Sequence, residues 1–219
     1  MDNAEAERIL LEGAGRLGLA LEPAAAAKLV RLGEELLKWN RKVNLTAITQ
    51  EAEVLEKHFL DSLAVLPELG PARSLLDLGA GAGFPGLPLK VARPGLEVTL
   101  VDAVAKKVGF MKHAIALLGL APGARAVHAR AEGSPDLEGL PRAEAVVARA
   151  LAEPGRWLVL AAPYTLPGGR VLAMLSRPLE AAEAGRQAEA AGLRLVSQRS
   201  YRLPFGGDPR AVALFTRDG

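Results

Sequence analysis

The stretch Leu75-Leu76-Asp77-Leu78-Gly79-Ala80-Gly81-Ala82-Gly83-Phe84-Pro85-Gly86 decides the fold. An apolar strand runs into three alternating glycines, and a proline suited to the first turn of a helix follows them. Glycines at a strand-to-helix turn let the backbone bend tightly and come close to a ligand, and in an open parallel sheet that ligand lies at the carboxyl ends of the strands. A dinucleotide fingerprint, Gly-x-Gly-x-x-Gly, would need glycine at position 84. The chain has Phe84 there and Gly83 one residue early. No Gly-Lys-Ser or Gly-Lys-Thr follows, which excludes a phosphate-gripping P-loop.

What remains is Asp-x-Gly-x-Gly-x-Gly, with Asp77 near the strand end, which resembles the first motif of class I S-adenosylmethionine (SAM) methyltransferases. Working outward, short apolar strands at 74–78, 97–102, 126–129, 145–148 and 170–175 alternate with helical patterns, as in a parallel sheet covered by helices. The helix between the second and third is the clearest: Val104, Val108, Met111, Ile115 and Leu118 share one face before Gly119. Segments 193–203 and 211–216, joined by Pro204-Phe205-Gly206-Gly207-Asp208-Pro209, read as a terminal antiparallel hairpin. The expectation is an α/β fold of the class I (Rossmann-like) SAM-dependent methyltransferase type. It has a seven-stranded, mostly parallel sheet ending in that hairpin, over residues 73–219.

Residues 1–72 hold three helical patterns and no strand, and form an N-terminal helical extension. The second pattern, 24–39, follows Pro23 and repeats Leu29, Leu32, Leu36 and Trp39 on one face. The third runs from an N-cap at Thr49 through Val54, Leu55, Phe59, Leu63 and Leu66 to a stop at Pro67. A polar connector, 40–46, lies between them.

Composition narrows the chemistry. Of 219 residues, 50% are hydrophobic and 24% charged, so the chain is a globular one and not a disordered one. Cysteine is absent, which removes thiol nucleophiles, disulfides and thiolate metal sites, and three scattered histidines make a protein-ligated metal improbable; the expectation is no metal. The start, Met1-Asp2-Asn3-Ala4-Glu5, carries acids where a secretion signal is basic, and no apolar run reaches the ~18 residues of a membrane helix. The expected location is therefore the cytoplasm. The formal charge of +2 is uneven: residues 1–72 carry 8 bases and 12 acids, so the basic excess lies in the remainder.

Asp102 ends the second strand, nineteen residues after Gly83, where a carboxylate can accept from both ribose hydroxyls of an adenosyl group. Among methyl acceptors, carbon-5 of a pyrimidine ordinarily requires a cysteine nucleophile, which this chain lacks. Exocyclic amines usually go with an Asn or Asp before Pro-Pro-aromatic. The nearest string, Ala162-Pro163-Tyr164, has neither the polar residue nor the second proline, and reads as a helix end. A guanine N7 needs neither device, because its in-plane lone pair is nucleophilic and carries no proton.

A resemblance to a particular family rests on Trp39-Asn40-Arg41-Lys42-Val43-Asn44-Leu45-Thr46-Ala47-Ile48 and on His58-Phe59-Leu60-Asp61-Ser62-Leu63. To these it adds the glycine loop, Lys106-Lys107 with Phe110, and Ala148-Arg149-Ala150-Leu151. Together they resemble the RsmG family, also called the glucose-inhibited division protein B family. These are bacterial enzymes that methylate a guanine N7 in the 530 loop of 16S ribosomal RNA.

The resemblance implies SAM as the methyl donor, S-adenosylhomocysteine as its product, and 16S rRNA or the small ribosomal subunit as partner, with no membrane and no obligate protein partner. By position it implies that Gly79, Gly81 and Phe84 border the methionine and ribose, that Asp102, Ala103 and Val104 hold the ribose and flank the adenine, and that Ala131 and Glu132 meet the adenine end. It places Arg149 at the crevice both as a cofactor-binding residue and as the catalytic one; chemically, a guanidinium there can hydrogen-bond the guanine O6 beside N7, in the bidentate manner seen with guanine edges. Asn40, Asn44, Arg199 and Arg202 are the expected RNA contacts. Without the resemblance, Asn40, Asn44, Thr46, His58, Asp61 and Ser62 read as caps and buried hydrogen-bond partners fastening the helices to the sheet. One departure stands out: Ala173-Met174-Leu175-Ser176-Arg177 lacks the lysine expected after the fifth strand, and Arg177 is its only nearby substitute. The alternatives left open are a small-molecule SAM-dependent methyltransferase and a non-enzymatic SAM-binding RNA partner.

Overall fold

The computed structural model describes residues 1–149 and 153–218. Ala150 and Leu151, part of one motif above, lie outside the described residues. Seven strands form one sheet in the order β3-β2-β1-β4-β5-β7-β6. These are β1 (Ser74–Leu78), β2 (Glu97–Asp102), β3 (Ala124–His128), β4 (Ala143–Arg149), β5 (Thr165–Leu175), β6 (Leu193–Arg202) and β7 (Pro209–Arg217). The first five are parallel; β7 inserts antiparallel between β5 and β6. Strand order reverses between β1 and β4, and a crevice opens outside the carboxyl ends of parallel strands at such a reversal. Pairing of Asp77 with Val147 across that boundary brings the glycine loop after β1 beside Arg149 at the end of β4.

Each strand buries alternate residues on opposite faces, as the two-residue period requires. Leu75, Val98, Leu100, Val147, Leu172 and Leu214 face a core shared with the helical extension, α6 (Gly86–Ala92) and α7 (Ala105–Leu117). Leu76, Val101, Val146, Val171 and Phe215 face a second core with Trp157, Leu158 and Ala161 of α9 (Pro154–Ala161) and Ala188 of α10 (Ala181–Ala190). The first core runs without a break from Ala6 of α1 (Asn3–Arg16) to Leu214. The extension therefore buries its apolar face directly on the sheet. Trp39 of α2 (Pro23–Val43) docks edge-on against Phe110 of α7, with ring centroids 5.6 Å apart.

Several boundaries depart from the sequence reading. Helix α2 continues through the supposed connector to Val43 and ends on Asn44, which adopts the left-handed conformation that asparagine tolerates. The third helix is not one regular helix to Leu66. It comprises α3 (Glu51–Glu53), a π-helical stretch Val54–Leu60 and α4 (Asp61–Leu63), capped by Gln50 and not by Thr49. Pro67 sits in the first turn of a further short helix, α5 (Leu66–Leu69), where its missing N–H costs nothing. Strand β3 lies two residues earlier at its start than expected, because an edge strand half open to solvent carries a weak apolar pattern. Strand β5 begins five residues early, with Pro167-Gly168-Gly169 in an irregularity of the β4–β5 pairing.

Candidate active site

The glycine loop divides into two kinds of glycine. Gly79 (φ +72°) and Gly81 (φ +61°) are left-handed, and a Cβ built on either would meet no protein atom within 4 Å. Both follow directly on the carboxyl end of β1, with open space where a side chain would stand. At Gly83 (φ +91°) a Cβ would lie 2.4 Å from Leu87 Cδ1, and at Gly86 2.3 Å from Leu100 Cδ2, so these two serve packing between loop, helix and sheet.

Asp102 pins this loop to the end of β2. One carboxylate oxygen accepts from Gly81 N–H at 2.9 Å and the other from Val104 N–H at 2.8 Å. Each oxygen keeps a further lone pair for an outside donor. Ala103 and Val104 are exposed beside it. Asp77 lies beneath the loop with no solvent exposure; Oδ2 accepts from Gly86 N–H at 2.8 Å, while Oδ1 has no partner. Burial pushes its carboxyl up to about 7, against the Gly86 hydrogen bond and the Arg149 charge, which favour the ionised form.

The loop after β3 carries Ala131, half-buried, and Glu132, whose side chain is exposed. Its backbone is fixed by Tyr164, a fully buried residue from the 3₁₀ turn Ala162–Tyr164 that the sequence reading treated only as a helix end. The Tyr164 hydroxyl accepts from the N–H groups of Glu132 (3.1 Å) and Gly133 (2.9 Å) and donates to Glu138. Its distance in sequence from β3 hid this role.

Arg149 is held by the extension. Nη1 donates to the Lys57 carbonyl and Nη2 to His58 Nδ1, each at 2.8 Å, and Asp61 Oδ2 stands 3.7 Å away. The His58 ring lies parallel to Phe84 of the glycine loop, 9° apart in plane with centroids at 4.5 Å, and the guanidinium sits 5.8 Å from the Phe84 ring centre. Arginine can only donate, so Nδ1 of His58 is unprotonated. The neutral ring then carries its hydrogen on Nε2 and donates to Thr46 Oγ1 at 2.9 Å. Burial, with the Arg149 charge adding to it, pulls His58 down to about 3.

Beyond Arg149 a cleft of about 960 Å³ opens over the ends of β4 and β5. Lys57, Arg149, Arg177 and Arg210 line it, against the acids Asp61 and Glu180. Arg177 is exposed there, beside Ser176, in the segment where the sequence departs from the family pattern. Asp61 ties the rim together: it accepts from Tyr201 Oη at 2.7 Å and lies 3.5 Å from Arg210 Nε.

Two of the expected RNA contacts, Asn40 and Arg199, make hydrogen bonds within the protein. Asn40, 9% exposed, accepts from Leu45 and Thr46 N–H and donates to the Thr46 carbonyl, organising the loop that carries Thr46. Arg199 forms a two-pronged ion pair with Glu68 at 2.6 and 2.9 Å and donates to the Ala64 carbonyl, fastening β6 to the extension. Asn40 therefore has a structural duty of its own, and Arg199 keeps a partly exposed guanidinium beside its ion pair. Asn44 and Arg202 are exposed, with Arg202 donating to the Gly207 carbonyl at 2.8 Å. Among the described residues, no group of three or more His, Asp or Glu side chains is placed to hold a metal ion, and no helix is long and apolar enough to cross a membrane.

A glycine loop open to the crevice, an acid at the end of the second strand and an antiparallel β7 beside five parallel strands define a class I SAM-dependent methyltransferase. Solved structures share this fold. A SAM-dependent methyltransferase from Aquifex aeolicus superposes with a TM-score of 0.55 at 21% identity, over 75% of this chain and 92% of that one. TrmN from Thermus thermophilus gives 0.57 at 22% identity, over 72% of this chain and 48% of that one. The profile of the GidB family, described as rRNA small subunit methyltransferase G, matches residues 25–201. The ribosomal RNA small subunit methyltransferase G of Myxococcus xanthus is 59% identical over the full length of both chains, and that of Anaeromyxobacter sp. Fw109-5 is 52% identical over 93% of this chain and 94% of its own. The chain belongs to the rRNA small subunit methyltransferase G family.

Proposed function

We propose that this protein transfers the methyl group of SAM to N7 of a guanine in the 530 loop of 16S rRNA, with the small ribosomal subunit or its RNA as partner in the cytoplasm and S-adenosylhomocysteine as product. Family membership supports the substrate. The observation that carries the mechanism is the placement of Arg149, held rigidly between the glycine-loop crevice and a cationic cleft wide enough to admit a base.

SAM, when bound, supplies an electrophilic methyl carbon on a cationic sulfur. Gly79 and Gly81 leave room for the donor against the backbone, and the free lone pairs of Asp102 suit its ribose hydroxyls. Ala103, Val104, Ala131 and Glu132 border the adenine end. In the reaction the N7 lone pair forms the new N–C bond as the S–C bond breaks, and positive charge passes from sulfur to the purine. No proton moves, so no side chain is assigned as general base.

Two of the five N–H donors of Arg149 are engaged by Lys57 and His58, leaving three for substrate. Arginine ordinarily grips a guanine edge in a bidentate manner, on O6 and N7. A donor on N7 would tie up the lone pair that attacks, so the contact reduces to one hydrogen bond on O6. Such a bond aligns the base; the rate gain comes from alignment and exclusion of water. Asn44, Arg177, Arg202 and Arg210 are the remaining polar and cationic contacts proposed for RNA.

The test is transfer of labelled methyl from SAM to small-subunit RNA lacking the modification, followed by nuclease mapping. Label confined to N7 of a guanine in one loop is the expected result. Tight SAM binding without label on any RNA form would redirect the search to small-molecule acceptors. Arg149→Ala should lower turnover far more than SAM affinity, and wild-type turnover in that variant would remove Arg149 from the mechanism.

A further inference from the structure

We infer that His58 is a positioning residue for methyl transfer, by which the helical extension sets the plane of the Arg149 guanidinium at the crevice. The inference rests on the reading of Arg149 given above.

Three sequence-distant pieces meet at this ring. Its Nδ1 accepts from Arg149 Nη2, its Nε2–H donates to Thr46, and its face lies on Phe84 of the glycine loop. His58 is 4% exposed and both ring nitrogens are satisfied, so it is held in one orientation and one tautomer. Thr46 is in turn fixed by Asn40 through the Thr46 backbone. The chain Asn40, Thr46, His58, Arg149 thus transmits the position of the extension to the end of β4.

The π-helical stretch supplies the second acceptor. Asp61 N–H reaches back five residues to the Glu56 carbonyl, and not four to Lys57. The Lys57 carbonyl meets Arg149 Nη1 instead. Adjacent residues of one helical turn therefore present two acceptors to the two terminal nitrogens of one guanidinium, which fixes its plane. Both acceptors are neutral. They orient the cation without cancelling its charge as a carboxylate at the same distance would, and Asp61 stands off at 3.7 Å. An apolar side chain of similar size would fill the space beside Phe84 but leave Nη2 without its partner.

The experiment measures single-turnover methyl transfer to small-subunit RNA for the wild type, H58F, H58N, H58Q, R149A and R149A/H58F, with SAM affinity by calorimetry and folding by circular dichroism. H58F keeps the stacking surface and should lower turnover about 10²-fold, as expected for a misplaced reacting geometry, with SAM affinity changed less than about threefold. An asparagine amide oxygen stands near the site of Nδ1, so H58N should recover about tenfold over H58F. The longer glutamine reaches toward Thr46 and should not. In the R149A background, H58F should cost no more than about a further twofold, because a residue acting through Arg149 has nothing left to act on.

Wild-type turnover in H58F, or full additivity in the double variant, overturns the inference and leaves the reading of Arg149 standing. Wild-type turnover in R149A overturns both. Should H58F fail to fold, equal turnover of H58N and H58Q would still reject a role through Nδ1.

Discussion

Replacing Gly81 with alanine separates a ligand-facing glycine from a packing one when set beside the same change at Gly83. At Gly81 the backbone is left-handed at φ +61° and the new methyl touches no protein atom within 4 Å. The cost to folding is then only that of holding an L-residue in that conformation, about 1–2 kcal/mol, or a fall of about 5 °C in Tm for a chain of this length. At Gly83 the same conformational cost is joined by a methyl 2.4 Å from Leu87 Cδ1, on a leucine with no solvent exposure and no room to turn. Overpacking of that kind adds about 1–3 kcal/mol.

Binding should follow the reverse order. The Gly81 methyl occupies space that the methyl donor needs, so the SAM dissociation constant should rise about tenfold, or about 1.4 kcal/mol. With SAM at about 100 times the wild-type Kd, ligand binding stabilises the wild type by about 2.7 kcal/mol, and the variant by only about 1.4 kcal/mol. Scanning fluorimetry with and without SAM should therefore show the ligand-induced rise in Tm roughly halved in Gly81→Ala, with calorimetry giving Kd directly. Wild-type SAM affinity in Gly81→Ala would refute the assignment of this loop as the donor's seat.

Arg199→Ala leaves Glu68, only 8% exposed, without its cation. Because Arg199 is itself partly exposed, the loss should be about 2 kcal/mol, read as a fall in Tm, with little change in RNA affinity; the opposite pattern would restore Arg199 to the RNA surface. Among the contributions to the pH dependence of stability, those of His58 and Asp77 oppose one another. His58, held down to about 3, binds a proton only in the unfolded chain between about 3 and 6.5, so its contribution is complete above pH 6.5 and is lost as pH falls. Asp77, pushed up to about 7, keeps its proton in the folded state between about 4 and 7, so its contribution is present at low pH and is lost as pH rises. Chemical denaturation across pH 4–7 should show a flatter profile in the wild type than in H58F, where stability declines steadily with rising pH; identical slopes would contradict the assignment. Arg177→Ala should reduce the slope of log RNA affinity against log salt by about 0.7, the value for one single-strand phosphate contact, and an unchanged slope would place Arg177 off the RNA path.

Much of the architecture was legible because local chemistry dictated it. The glycine loop, the acid at the end of β2, the strand and helix alternation and the terminal hairpin all follow from patterns within ten or so residues, and each is found where its pattern stood. The boundaries that moved did so where tertiary contacts overrode local signals. Helix α2 runs on into the polar run 40–46 because Asn44 can adopt a left-handed cap, and β5 begins at Thr165 because Thr165 pairs with Ala143 across an irregularity that takes up Pro167-Gly168-Gly169. The internal duties of Arg199 and Asn40 were not legible, because Glu68 and the Leu45-Thr46 backbone, which need partners that solvent cannot supply, meet them only in the folded chain.

By itself the sequence determined the class of fold, the place of the donor-binding loop and, through resemblance, the family, because glycine spacing and strand periodicity are properties of a short run of backbone. Only the tertiary structure decided how the site is assembled. It showed that an extension with a net acidic sequence reaches across to hold Arg149, that Tyr164 fixes the loop after β3, and that Asp77 is sealed beneath the glycines. The hydrogen bonds that hold Arg149 and the loop after β3 join residues from 31 to 92 positions apart in the chain. They depend on the register of β1 against β4 and on the freed carbonyl of a π-helical turn, geometry that exists only once the extension has packed onto the sheet.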